Sequence, residues 1–394
     1  MSSDRDFDLV VFGATGFTGR LVSQYLARTA GADLRWALAG RSLSRLGAVA
    51  RDLHRAYGDR AAPALIEADV SRPESLAAMA KRTRVLLTTV GPFARFGEPV
   101  VSACVANATD YVDITGEPMF VDRICERYGS QAEDVGIRVV SCCGFDSVPH
   151  DLGAWFTVQH LPRDQPIELR AFVSSKGSFS GGTWQSAVQA MGALQEFREQ
   201  RRTFGRQPAT DGRRVGSLPQ KIHYEEALDA WAVPLPTIDP QIVLRSARAL
   251  SEYGPDFRYG HYAKMRSLRT VAAAAAGVAS IVALAQLEVT RELLLKVRSS
   301  GEGPSRAQRE RGWFIVRFHG KAADGTEVVT QVVGGDPGYD ETSKMVAESA
   351  LCLAFDRPRE EGPCGVLTPT VAMGNALIQR LQRAGIAFEL VRGG

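Results

Sequence analysis

The sequence predicts an α/β protein built on a doubly wound parallel sheet, and three observations predict it. Strand-like apolar runs alternate with helical patterns through the first 150 residues. The first run leads straight into a glycine-spaced turn with a helical pattern behind it. The chain of 394 residues has room for two or three domains at about 150 residues each.

The runs in chain order are Asp8–Phe12, Leu34–Ala39, Ala64–Ala68, Val85–Val90, Tyr111–Ile114 and Ile137–Ser141. Four are near-continuous in Val, Leu, Ile and Ala, as expected for strands buried on both faces. Between the second and third, Leu43, Leu46, Val49 and Leu53 recur near one helical face. Ser71 with Glu74 predicts a capping box ahead of Leu76. Further on, Ile167–Ser174 and Trp313–His319 read as strands. Asp324-Gly325, between VRFHG and EVVTQVV, is a hairpin signal.

The first strand ends in Gly13-Ala14-Thr15-Gly16-Phe17-Thr18-Gly19, and Leu21, Val22, Tyr25 and Leu26 follow in a helical pattern. Gly13 permits the tight turn. The small residues after it let backbone N–H groups approach a pyrophosphate at the helix N-terminus, where the dipole favours an anion. This context is that of a Rossmann-type dinucleotide site, although the spacing is G-x-x-G-x-x-G. A site preferring NAD carries Asp or Glu roughly 20 residues past the glycines. Here that place reads Ala39-Gly40-Arg41-Ser42, without a carboxylate. A guanidinium and a hydroxyl at a helix start suit a 2′-phosphate, so the expected cofactor is NADP. Asp69-Val70 is expected to flank the adenine. Gly91-Pro92, ahead of Phe93, is expected to let the backbone approach the nicotinamide ribose.

Composition excludes several classes. Lys plus Arg is 47 and Asp plus Glu is 44, a net charge of +3, which argues against a dedicated nucleic-acid binder. The six cysteines, at 104, 125, 142, 143, 352 and 364, form no C-x-x-C pair. The N-terminus lacks the pattern of a secretory signal. A cytoplasmic, reducing compartment is therefore expected. No Lys precedes Ser or Thr, which excludes a P-loop, and there is no G-x-S-x-G. No Tyr has Lys four residues later, so the usual pair of short-chain reductases is missing. The six His are scattered without H-E-x-x-H, and no metal is expected. The Arg-rich segments 198–214 and 291–311 read as exposed loops. The uncharged VAAAAAGVASIVALA, Val271 to Ala285, is short for a bilayer span and is expected to be a buried or interface helix. Lys264, Arg266 and Arg269 before it would suit anionic headgroups at the inner membrane face, the competing reading.

Three segments together carry a resemblance. GATGFTG with AGRS, then TVGPF and YVDITGE, then CCGFDSVPHDLG are similar to the saccharopine dehydrogenase-like oxidoreductases, in the branch of trans-acting enoyl reductases. SGGTWQSAV at 180–188 and VLTPTVAMGNALIQRL at 366–381 resemble later landmarks of that family. The resemblance implies a Rossmann domain over 1–150 and a second α/β domain, with a mixed or antiparallel sheet, over 151–338. It also implies that 339–394 packs back near the first domain. The implied substrate is a polyketide- or lipid-type chain on a carrier protein; a homodimer is compatible with the sequence.

Enoyl reduction needs a hydride at the β carbon, donors for the enolate oxygen and a proton at the α carbon. The candidates are groups past the fifth and sixth strands. Tyr111 could donate the proton, with Asp113, Thr115 and Glu117 nearby in sequence. Asp146 and His150 are the other catalytic candidates, beside Phe145 and Ser147, although Asp146 could equally cap a helix opening at Ser147 or Val148. Two other activities compete: reduction of a C=N or C=O bond, and a non-catalytic NADP-binding role at a lipid surface.

Overall fold

A computed structural model of the chain describes residues 5–29, 31, 33–58, 62–177, 212–296, 303–358 and 362–393. The chain divides into two units. One comprises Met1–Phe145 with Tyr339–Ala384, the other Asp146–Gly338 with Gly385–Gly394. The division falls a few residues before the expected boundary at 150. The segment 339–394 also does not stay together, because its final strand belongs to the second unit.

In the first unit, strands alternate with helices as the apolar runs require. They are β1 (Phe7–Phe12), α1 (Phe17–Thr29), β2 (Trp36–Gly40), α2 (Leu43–Tyr57), β3 (Ala64–Glu67), α3 (Pro73–Lys81), β4 (Thr83–Thr88), α4 (Phe93–Ala106), β5 (Asp110–Asp113), α5 (Pro118–Val135) and β6 (Arg138–Val140). The strand order is β3-β2-β1-β4-β5-β6, extended past β6 by the short strand Gly365–Leu367, and every pairing is parallel. Order reverses between β1 and β4, the crevice where such sheets hold dinucleotides. Leu9, Val10, Val11, Val85, Leu86 and Leu87 are fully buried, which explains the continuous apolar runs. Leu46, Val49 and Leu53 of α2 face this core, whereas Leu43 is exposed. The expected capping box does not form. Pro73 opens α3, and Ser71 bonds the Asp69 carboxylate instead.

The second unit begins with α6 (Val148–Val158) and β7 (Ile167–Lys176). Then come β8 (Arg214–Ser217), β9 (His223–Glu225), β10 (Ala230–Pro234), α7 (Asp239–Ala249) and β11 (Asp256–Met265). Next are α8 (Leu268–Gln286), α9 (Glu288–Lys296), β12 (Trp313–Ala322) and β13 (Glu327–Gly334), and the strand Ala387–Arg392 closes the sheet beyond β13. The sheet is mixed. β11 runs parallel to β7 and β8, and the other pairings are antiparallel. β12 and β13 form the hairpin that Asp324-Gly325 signals, with Gly325 at φ +96°. Helix α6 lies close against this hairpin. A Cβ on Gly153 would come within 2.4 Å of Phe318.

The apolar stretch is helical and mostly exposed, which sets aside the buried alternative and leaves the interface one. Val271–Ala285 is helical within α8, but only 12% of that helix's apolar stretch is buried, so it is not a core helix. Of the Arg-rich segments, 291–296 is the end of α9, while most of 198–214 lies outside the described residues. SGGTWQSAV at 180–188 also lies outside them.

Candidate active site

The glycine turn is built for close approach. Gly13 has φ +92°, and a Cβ there would stand 2.8 Å from Thr89 Oγ1. A Cβ on Gly19 would stand 2.2 Å from the Gly13 carbonyl oxygen, so only glycine lets α1 start this near the strand end. Gly13 N–H donates to the Ala39 carbonyl at 2.9 Å and Gly16 N–H to the Gly13 carbonyl at 2.9 Å, which tie the turn to β2 and to itself. Ala14 is fully buried beneath the turn. Thr15, Phe17 and Thr18 continue it into the first turn of α1, and the Phe17 ring packs edge-on against Tyr339 at 4.8 Å. The helix N-terminus presents amides that no earlier helical carbonyl satisfies.

Arg41 follows β2 directly and is exposed, and no carboxylate pairs with it among the described ion pairs. Its charge contributes to holding the Asp69 carboxyl below the usual range. The larger causes are the bonds from Ser71 N–H at 2.9 Å and Ser71 Oγ at 2.8 Å. Ser42 is the N-cap of α2, its Oγ accepting from Arg45 N–H at 3.4 Å. Val70, next to Asp69, is half-buried. The glycine cradle and the unpaired guanidinium fit a dinucleotide with a 2′-phosphate.

Gly91-Pro92 leads into α4, and the amides there are occupied. Glu117 accepts from Phe93 N–H at 3.0 Å through one oxygen and from Ala94 N–H at 2.7 Å through the other. Glu117 therefore acts as a cap for α4, supplying from the following loop the acceptor that Pro92 cannot. Sequence gives no sign of this bond, because the partners belong to successive strand–helix units.

Tyr111 and Asp113 lie inward. Both are fully buried, and Tyr111 Oη donates to Asp113 Oδ2 at 2.9 Å. The same carboxylate accepts from Ser141 Oγ at 2.9 Å, Thr115 N–H at 2.9 Å and Cys142 N–H at 3.0 Å. The Asp113 carbonyl accepts from Cys143 N–H at 2.7 Å. These bonds join the ends of β5 and β6 and hold Cys142 at φ +63°, a costly conformation for a residue with a Cβ. Burial pushes the Asp113 carboxyl up to about 6 despite its donors. Burial, with Asp113 as neighbour, drives the Tyr111 phenol well above its ordinary value. Tyr111 was expected to face a substrate; the structure seals it in the core as a brace for Asp113. Tyr111→Phe is accordingly expected to lower the unfolding free energy by about 1.5 kcal/mol and to leave NADPH affinity and turnover per folded molecule unchanged. Urea titration beside a steady-state assay checks this. Lost turnover at unchanged stability would return Tyr111 to the chemistry.

The second unit holds a buried polar cluster. Ser147 caps α6 by position only, without a side-chain bond, and the structure shows no cap from Asp146. His150, in the first turn of α6, places Nδ1 2.8 Å from Asp239 Oδ1. The other Asp239 oxygen stands 3.5 Å from His261 Nε2 on β11, and Tyr259 Oη stands 3.2 Å from His261 Nδ1. All three are nearly inaccessible: 2% for His150, 3% for Asp239 and 1% for His261. Burial opposes ionisation of Asp239, but the adjacent His150 and His261 outweigh it and keep the carboxyl below its usual range. The first turn of α7 also favours the anion. Burial lowers His261 to about 4. Asp146 is raised to about 6 by burial and by the Asp239 charge, with His150 acting the other way. Sequence reading singled out His150 and Asp146 and missed Asp239 and His261. A lone Asp before a proline and a lone His inside a strand carry no local signal. With His150 these two make the grouping of ligand-type side chains, within 4.8 Å of one another, that was not expected from six scattered histidines.

The strand order, the glycine cradle and the exposed guanidinium define a Rossmann-type dinucleotide-binding protein. The saccharopine dehydrogenase NADP binding domain matches residues 9–140. A trans-acting enoyl reductase of Mycobacterium tuberculosis is 36% identical over 427 residues, covering 99% of each chain. One from Mycobacterium ulcerans is 33% identical over 425 residues, again with 99% of each covered. The apo saccharopine dehydrogenase (L-Glu forming) of Saccharomyces cerevisiae shares the fold, with a TM-score of 0.57 at 14% identity over 98% of this chain and 99% of that one. The chain belongs to the trans-acting enoyl reductases of the saccharopine dehydrogenase-like family. It is an oxidoreductase, and its cofactor is NADP.

Proposed function

We propose that this protein reduces the carbon–carbon double bond of an α,β-unsaturated thioester, presented by a carrier protein during assembly of a polyketide or lipid chain. The observation that carries the reading is the near-complete match to enzymes named trans-acting enoyl reductases by a chain whose cradle fits NADP. NADPH, when bound, supplies the hydride. The protein positions the reactants, excludes water and handles the proton that the α carbon must gain. The turn Gly13–Gly19 receives the pyrophosphate and Arg41, beside Ser42, takes the 2′-phosphate. Asp69 and Val70 border the adenine, and Gly91-Pro92 borders the nicotinamide ribose.

The proton is handled by the Asp146 and His150 loop. Asp239 Oδ1, 2.8 Å from Nδ1, fixes the orientation of the His150 ring and leaves Nε2 as the nitrogen that would exchange a proton with the substrate. His150→Gln is expected to lower turnover by about a hundredfold at unchanged NADPH affinity. Unchanged turnover on an active substrate would remove His150 from the reaction. The reading as a whole is tested by following NADPH oxidation against carrier- or coenzyme-linked enoyl, keto and imino substrates. Turnover confined to enoyl thioesters is expected, whereas turnover confined to keto or imino compounds would overturn the proposal.

A further inference from the structure

We infer that α8, with the start of α9, lies flat in the headgroup layer of an anionic lipid bilayer and docks the second unit there. Three features of the helix carry this. It has no charged residue from Thr270 to Leu287, yet most of its surface faces outward. Leu268 is 56% exposed, Leu284 43%, Leu287 64% and Leu293, on α9, 59%. Large apolar side chains gathered on one exposed element mark a binding surface.

The second feature is orientation. Val271 and Ala285 are buried, at 5% and 0%. They lie about four helical turns apart and so near one face. The helix runs beside β10 and β11, whose paired ends, Trp231 and Met265, lie by its start, and beside α9. The uncharged run from Thr270 to Leu287 is followed at once by Glu288 and is short for a bilayer span, which favours lying in the interface over crossing it. Its outward face carries Ala, Gly, Ser and Leu, which enter the interfacial layer without burying charge.

The third feature is charge, and it selects the occupant. From Phe257 to Leu287 there is no Asp or Glu, while Arg258, Lys264, Arg266 and Arg269 are present; Glu288 and Glu292 come only on α9, away from the basic helix start. Lys264, Arg266 and Arg269 are exposed at the helix start, and no carboxylate pairs with them among the described ion pairs. An apolar face rimmed by unpaired cations complements an anionic headgroup layer. A second copy that met this face with the same face would set its own Lys264, Arg266 and Arg269 near the rim and not a layer of anions.

The test uses the full-length protein and co-sedimentation with vesicles of phosphatidylglycerol and phosphatidylcholine in equal parts, beside vesicles of phosphatidylcholine alone. It reads lipid binding and is independent of turnover. Binding to the anionic vesicles is expected, weakening as salt rises. R266E/R269E and, separately, L284D/L287D should each reduce it more than tenfold, with NADPH affinity unchanged as the control for folding. Absence of binding to anionic vesicles would overturn the inference. So would binding indifferent to both double variants, or a wild-type dimer that L284D/L287D dissociates without any vesicle binding.

Discussion

Asp113→Ala is expected to lower the unfolding free energy by about 3–5 kcal/mol, the largest effect of any single change considered. Four donors converge on this carboxylate, two hydroxyls and two backbone amides, and all are buried. Alanine strands the amides of Thr115 and Cys142, which have no water to turn to, and leaves the left-handed Cys142 without its anchor. Asp113→Asn keeps an acceptor toward the amides and should cost less.

The pair of variants also reports on charge. Asp113 titrates near 6 in the folded protein against 3.8 for the ordinary group. The folded state therefore binds the proton more tightly than the unfolded one. This contributes stability that is fully present below pH 3.8 and is lost as pH rises through 6. On acidification from pH 7 to 5 the wild type should gain stability relative to Asp113→Asn, read from urea midpoints at both values. An equal response in the two proteins would show that the carboxylate is not the titrating group.

Arg41→Ala should weaken NADPH binding by about tenfold to a hundredfold and leave NADH nearly untouched. Charge-assisted bonds to a phosphate contribute roughly 1.5–3 kcal/mol. The guanidinium stands at the end of β2, exposed and in no described ion pair, so an anion could reach it. Calorimetric titration of both cofactors at fixed ionic strength checks this. Equal weakening of NADPH and NADH would mean that Arg41 packs on the adenine and does not read the phosphate.

Sequence alone determined the first unit's sheet, the cradle and the nature of its cofactor. Buried parallel strands must be apolar on both faces, so they appear as continuous runs. A turn that needs φ of +92° at Gly13 and backbone contact at Gly19 admits glycine alone. The position of Arg41 at the end of β2 was legible for the same reason, because it is counted from the glycines along the chain. These are local properties, written in spacing. Tertiary structure decided the rest. Tyr111 reads as a strand-end acid until β4 and β6 close over it, and Ser71 reads as a cap until Asp69 takes its hydroxyl. VAAAAAGVASIVALA reads as a buried or an interface helix, and among its described residues the fold buries only Val271 and Ala285. Glu117 reaches α4 from the next loop, and His150, Asp239 and His261 meet from two helix starts and a central strand. Their meeting depends on how distant elements pack, and single residues far apart in the chain leave no periodicity to betray it.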